Sequence, residues 1–182
     1  MDVDLIPAAE LQTARLVLRP IQLGDAAAIQ QLFPQWEIVR HTQAPWPYPE
    51  DGAAHFCRDV LAAAARGENW TWSLRLKTAP DDLIGAISLR RNDDENRAFW
   101  IGLPWQGLGL MSEASTAITD FWFDVLGRKV FRVSKAAANT ASRRISERSG
   151  MRVIRRQIED YASGRLLTEV WEITREEWFE RR

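Results

Sequence analysis

Phe99-Trp100-Ile101-Gly102-Leu103 reads as an apolar strand that runs into the turn Gln106-Gly107-Leu108-Gly109, and an amphipathic helix starts directly behind it. A strand that gives way to a helix through two glycines points to a mixed α/β architecture. The predicted helix carries Leu110, Ala114, Ile118, Phe121, Trp122 and Val125 on one buried face and ends at Gly127. At its start the turn offers backbone N–H groups at the positive end of the helix dipole, a setting that suits phosphate oxygens. Gly107 and Gly109 lack Cβ atoms, so a ligand can lie against the main chain. A P-loop is excluded because no lysine lies in the turn, and a dinucleotide fingerprint because its third glycine is missing.

Around this unit the pattern predicts the order β-α-α-β-β-β-α-β-α-β-β. Arg15 to Arg19 alternates as a short strand behind a loose lead-in over 1–14, and Asp25 is placed to cap a helix carrying Ile29, Leu32 and Phe33. Residues 51–66 predict a second helix with Phe56, Val60, Leu61 and Ala64 on its inner face. A three-strand meander follows: Asn69 to Lys77, a turn at Pro80-Asp81-Asp82, Leu83 to Arg91, and then Arg97 to Leu103. Val130 to Lys135, a helix ending at Ser149, and a closing pair of strands over Met151 to Ile158 and Leu166 to Ile173 complete the chain. Between the first two helices, prolines at 45, 47 and 49 forbid regular helix and leave an aromatic loop with Trp36, His41, Trp46 and Tyr48. Such a loop serves either as a packed lid or as the wall of a substrate pocket.

Composition narrows the function classes. With 182 residues the chain is sized for one domain, expected here as a single unit over 1–182. A net charge of −1 gives no global pull toward nucleic acid or anionic membrane. One cysteine, Cys57, excludes an internal disulfide; with His55 it is expected to be structural or exposed, and no metal site is expected. No apolar run is long enough to span a bilayer, and the acidic start is unlike a signal peptide, so a cytoplasmic protein is expected. Nine tryptophans are read mostly as core residues.

Gln106-Gly107-Leu108-Gly109-Leu110-Met111 resembles the acyl-CoA signature of the GNAT acetyltransferases, Gln/Arg-x-x-Gly-x-Gly/Ala, with Met111 in place of the final small residue. Ser112-Glu113-Ala114 behind it, and the opening Thr13 to Pro20 with Asp25, are similar to the RimJ/RimL-like branch that acetylates ribosomal-protein N-termini. A second signature, Asn139-Thr140-Ala141-Ser142 running into Ser149-Gly150-Met151, resembles the family's Asn-led segment. The resemblance covers nearly the whole chain and implies a GNAT fold, a mostly antiparallel central sheet flanked by helices.

It also implies acetyl transfer from acetyl-CoA to a primary amine, directly and without a covalent enzyme intermediate. The acceptor is then a protein or peptide N-terminus or a small amine. Cofactor contacts are implied for Ile101, Gly102, Leu103, Gln106, Gly107, Leu108, Gly109, Leu110, Met111 and Ser112, and for Asn139, Ser142 and one of Arg143 and Arg144, with Arg144 preferred. A backbone N–H around Ile101 to Leu103 is implied as the oxyanion donor. Trp36, His41, Trp46 and Tyr48 are implied for the acceptor side. Catalytic roles fall to Asn139 and to Ser146, which stands where many relatives carry a tyrosine acid. The base stays open among Glu113, Glu159, Asp160 and His41, since the third strand, Ala98-Phe99-Trp100-Ile101, carries no acid. An acyl-CoA-binding module with little catalysis is the alternative. An RNA binder using the 143–156 arginines is a weaker one, and a homodimer is compatible with either.

Overall fold

Strand β3 (Asn69–Leu76) is the middle of the larger sheet and is buried on both faces. In the computed structural model, which describes residues 6–181, it pairs antiparallel with β2 (Leu16–Pro20) on one side and β4 (Ala79–Arg90) on the other. A two-residue β1 (Leu11–Gln12) and β5 (Arg97–Ile101) form the edges, giving the order β1-β2-β3-β4-β5. A second, three-stranded antiparallel sheet runs β6 (Val130–Ala136), β8 (Gly164–Thr174), β7 (Arg152–Tyr161). The helices are α1 (Ala26–Leu32), α2 (Trp36–Val39), α3 (Gly52–Ala65), α4 (Leu110–Asp120), α5 (Thr140–Arg148) and α6 (Arg175–Glu180). The mixed α/β class and the antiparallel meander agree with the expectation, but the sheet is divided in two.

Alternation along β3 explains its two coverings. Trp70, Trp72 and Leu74 enter the core formed with α4 and with Phe131, Val133, Trp171 and Ile173 of the second sheet. On the reverse face Thr71 and Ser73 are equally buried, beneath the side where Ile29 of α1, Phe33 just behind it, and Cys57 and Val60 of α3 pack. Polar groups survive there because they bond one another: Thr71 Oγ1 lies 2.8 Å from Ser88 Oγ and donates to Asn69 Oδ1 at 2.5 Å. Four buried tryptophans also find acceptors: Trp70 donates to Ile6 O, Trp72 to Ala9 O, Trp122 to Val130 O and Trp178 to Asp120 Oδ1. The first two tie down part of the lead-in expected to be loose; its residues 1–5 lie outside the described ones.

Several local expectations need correction. Asp25 makes no side-chain cap on α1; its Oδ2 instead accepts from Gln22 N, and Oδ1 pairs with Arg75 Nη2 at 2.5 Å. Pro80-Asp81-Asp82 lies inside β4, because a register shift at Leu74–Leu76 lets the strand begin at Ala79. Ala64 is exposed on α3, where Ala53 and Cys57 take the inner face with Val60. Behind α4 comes a π-turn, Phe121–Val125, closed by Leu126 N to Phe121 O. One extra residue in that turn rotates the following side chains, so Phe123 is fully buried and Val125 is 46% exposed. The single turn α2 at Trp36 and the terminal α6 have no counterpart in the sequence expectation.

The two sheets meet at Asn96. Its N–H donates to Arg132 O and its Oδ1 accepts from Arg132 N, each at 2.7 Å. No ladder continues between β5 and β6, and the two strands belong to separate sheets.

Asp25 and Arg75 are about nine-tenths buried, at 10% and 11% side-chain exposure. Removing one partner leaves the other charge unmatched, so Asp25→Ala should cost about 3 kcal/mol, seen as a lower urea midpoint. Adding Arg75→Ala should then cost little more.

Candidate active site

Gly102 N donates to Ile84 O at 2.8 Å, and the chain leaves β5 there through a short 3-10 turn, Leu103–Trp105. A Cβ on Gly102 would meet the Trp105 ring at 2.8 Å, so the bare backbone lets that ring fold back. Gln106 turns inward, its Nε2 donating to Ile101 O at 3.1 Å, and thereby closes the loop rather than facing a ligand. Gly107 and Gly109 follow with φ of +75° and +78°, a left-handed backbone that side chains resist. Gly109 is the N-cap of α4.

That geometry leaves a row of donors. Among the described residues, the N–H groups from Gly107 to Ser112 reach no protein acceptor; the first satisfied helix amide is Glu113 N, bonded to Gly109 O. Nothing stands within 4 Å of a Cβ built on Gly107, and Leu108 is 55% exposed, so the row faces open space.

Arg15 braces the turn, a role that no local spacing suggests because its partners lie 93 and 98 residues away. Its Nη1 donates to Leu108 O at 2.9 Å, its Nε to Glu113 Oε2 at 2.8 Å, and its N–H to Glu113 Oε1 at 2.7 Å, where Thr13 Oγ1 also donates. Burial alone would raise the Glu113 carboxyl; the bonds from Thr13 and Arg15 outweigh it and hold the carboxyl below its ordinary range. Glu113 is therefore a fastening and a poor proton acceptor. Its stabilisation is present above the ordinary carboxylate pKa and is lost as pH falls through the lowered folded value. Glu113→Gln should consequently be less stable than wild type near pH 7, with the gap closing in acid, as followed by denaturant melts across pH.

The Asn-led segment forms the next element. Asn139 Oδ1 accepts from Ser142 N at 3.1 Å and caps α5, while no described group takes its side-chain amide hydrogens. Ser142 is buried. Arg143 turns toward Glu169, Nε to Oε2 at 3.1 Å, whereas Arg144 is exposed and has no ion pair among the described residues. Arg152, Arg155 and Arg156 are likewise paired, with Glu172 and Glu177, Asp94, and Glu169, so the arginine run is no open basic face. Ser146 is 0% exposed and receives a hydrogen bond from Lys135 Nζ at 2.5 Å. Its hydroxyl points into the core, which removes it from ready contact with a ligand.

A groove of about 680 Å³ opens between the aromatic loop, at Gln43–Trp46, and the β7–β8 hairpin, at Ile158–Ala162. The loop is fixed to the hairpin by Ala162 N to Thr42 O and by Ser163 to Arg40 O. Trp36 and Trp46 are exposed with ring centroids 5.3 Å apart, and Trp46 lines the groove. Tyr48 does not: it packs edge-on against Phe33 and lies over Gly52, where a Cβ would meet its ring at 2.7 Å. His41 is partly buried; burial first, and Arg40 second, lower its pKa and keep the ring neutral near pH 7. Cys57 is wholly buried, its thiol pushed up to about 11 by burial and then by Asp25, so it is no nucleophile.

Of the acids proposed from sequence, Glu159 lines the groove, while Asp160 also lines it but is 88% exposed beside Arg165. Glu95 lies in the connection between β4 and β5 and carries no local signal of a role. It reaches Ser134 of β6 and sits 3.4 Å from Arg90 Nη1. Burial raises its carboxyl most; Arg90 and the Ser134 hydrogen bond pull back, the Glu159 charge pushes up, and the balance is upward. Tyr161, its hydroxyl 2.8 Å from Thr168 Oγ1, feels both carboxylates.

Comparison with known proteins follows the same lines. A family model described as an acetyltransferase (GNAT) domain matches residues 15–152. No curated protein matches the chain in sequence. Among solved structures, RimL, a ribosomal L7/L12 alpha-N-protein acetyltransferase in complex with coenzyme A, is 15% identical with a TM-score of 0.78, covering 91% of this chain and 98% of its own. RimJ of Mycobacterium smegmatis in complex with CoA-disulfide is 16% identical with a TM-score of 0.81, over 95% and 90%. The ribosomal-protein-S5-alanine acetyltransferase of Vibrio fischeri is 12% identical with a TM-score of 0.79, over 93% and 98%. At such identities the likeness is one of fold.

Proposed function

The chain belongs to the GNAT acetyltransferase family, an acyltransferase family, and from that premise we propose that it moves an acetyl group from acetyl-CoA to a primary amine. The acceptor is a protein or peptide N-terminus or a small amine, and transfer is direct. The row of unpaired N–H groups from Gly107 to Ser112 carries this reading. Convergent amides at a helix N-terminus, beside a glycine with open space where its side chain would be, fit a pyrophosphate. Asn139 offers its free amide hydrogens to the pantetheine arm, and Arg144, being unpaired, meets a CoA phosphate better than Arg143 does. Relatives of this fold solved with coenzyme A add weight to the choice of ligand.

Acetyl-CoA supplies an activated acyl thioester. Alternation along β5 tells which amide can serve the carbonyl oxygen: Gly102 N–H is spent on Ile84, so Ile101 N–H points away from β4 toward the gap beside β6. The groove beneath Trp46 receives the amine, and Glu95, assisted by Glu159, takes its proton. Ser146 is too enclosed to act as the acid, and a thiolate leaves without one. The cytoplasm is the proposed location, where a lone thiol stays reduced. Among the described residues no helix is long and apolar enough to cross a membrane.

Calorimetric titration of acetyl-CoA tests the cradle. Wild type should bind saturably, and Gly109→Val, strained at φ +78° and brought against Arg15 at 3.4 Å, should bind at least ten times more weakly. A folded wild type that binds no acetyl-CoA would overturn the reading. For the base, kcat/KM should fall on the acid side with a pKa above the ordinary carboxylate value, and Glu95→Gln should lower the rate about 10²-fold and remove that limb. An unchanged profile in Glu95→Gln would reassign the role.

A further inference from the structure

Behind the seam between the sheets, the core contains two cations. Arg97 of β5 is 4% exposed and Lys135 of β6 is 6% exposed, and the Arg97 charge acts on Lys135. Their side chains lie among Phe99, Phe131 and Trp171: the Arg97 guanidinium is 5.4 Å from the Phe99 centroid and 5.7 Å from that of Phe131, and Lys135 Nζ is 5.1 Å from that of Trp171.

Ring faces satisfy only part of a guanidinium. Its N–H groups lie in its own plane, where π density does not reach them, and each needs an acceptor there. Arg97 Nη1 and Nη2 are buried with no acceptor among the described residues. The same holds for Trp171 Nε1, alone among the five buried tryptophans. Lys135 Nζ gives one hydrogen bond, to Ser146, of the three it can donate.

Counter-charge is short as well. Among the described residues, the one buried carboxylate acting on Lys135 is Glu169, which also pairs with Arg143 at 3.1 Å and Arg156 at 3.2 Å, although its Oε2 makes no hydrogen bond. Glu147, the other carboxylate acting on Lys135, is half exposed and lies toward Arg143. Lys135, Arg143 and Arg156 all draw on these two carboxylates, and Arg97, with two unused donors, has none acting on it among the described residues. Charge and hydrogen bonding together therefore make an anion site at Arg97 with Lys135 close by. We propose that Arg97, with Lys135, holds a small inorganic anion of halide size inside the core. A larger or organic anion is excluded by the enclosure of both cations.

The competing arrangement is a neutral lysine with water at the orphaned donors. Burial first, and Arg97 second, push Lys135 well below the ordinary lysine range, which would make that arrangement workable if no anion bound.

The two are separated by melting the full chain in sodium chloride or bromide against sodium gluconate at equal ionic strength. A held halide should raise Tm by about 3–6 °C. Arg97→Met and Lys135→Met should each abolish the difference, while the surface variant Arg155→Gln should keep it. Should the core variants fail to fold, crystals of the wild type soaked in bromide decide the matter. An anomalous peak within hydrogen-bond distance of Arg97 Nη and Lys135 Nζ supports the site. Equal melting in halide and gluconate, or bromide found only at surface arginines, overturns it.

Discussion

Two hydrogen bonds at Asn96 set the geometry on which the site depends. Both use the same pair of residues, and one uses a side chain, so a ladder cannot propagate from them: Asn96 Oδ1 occupies the position a carbonyl would take. Beyond that point β5 keeps its unused edge and β6 keeps its own. A seam that starts and then stops creates a gap lined by main-chain groups, and main-chain groups are the least mobile donors a protein has. Either side of this gap carries different chemistry, because residues alternate along β6. Ser134 meets Glu95 on one face, and Lys135 meets Ser146 and Trp171 on the face turned into the core.

Rigidity at the turn comes from far away in the chain. The Arg15 side chain crosses from the start of β2 to Leu108 and Glu113, so the first strand of one end holds the loop that precedes α4. Because the Glu113 carboxylate accepts three donors from two residues, rotating any one of them leaves the others in place. The orphan amides are thus presented on a loop braced at both ends, by Gln106 on the Ile101 carbonyl and by Arg15 on the Leu108 carbonyl.

How much of this was legible in the chain follows from the range of each interaction. The β5–turn–α4 unit could be read from local signals alone: an apolar run, two glycines and a helical period. Asn139 was legible through the resemblance of its segment, and its cap on α5 is a local bond to Ser142 N. Asp25 was misassigned because its partner, Arg75, is fifty residues distant, and a buried ion pair overrides a cap preference worth about 1 kcal/mol. The π-turn at Phe121–Val125 escaped because a 3.6-residue period cannot express an inserted residue, and Val125 was placed inside where Phe123 belongs. Ser146 was read by the place a tyrosine takes in relatives, a measure blind to which face of α5 would turn toward Lys135. Glu95 stands among the acids of the β4–β5 connection, Asp93 and Asp94, and only the meeting of the two sheets brings it to Ser134.

The aromatic loop carries one more consequence. Trp36 and Trp46 stand 5.3 Å apart with their rings inclined at 52°, and both are exposed. Two identical chromophores that close and that oblique share their excited states, so their absorption splits into a pair of bands with opposite circular dichroism. The sign and size of that couplet follow from the separation and the mutual orientation of the two rings. The loop therefore writes its own conformation into the ultraviolet spectrum, apart from the buried indoles.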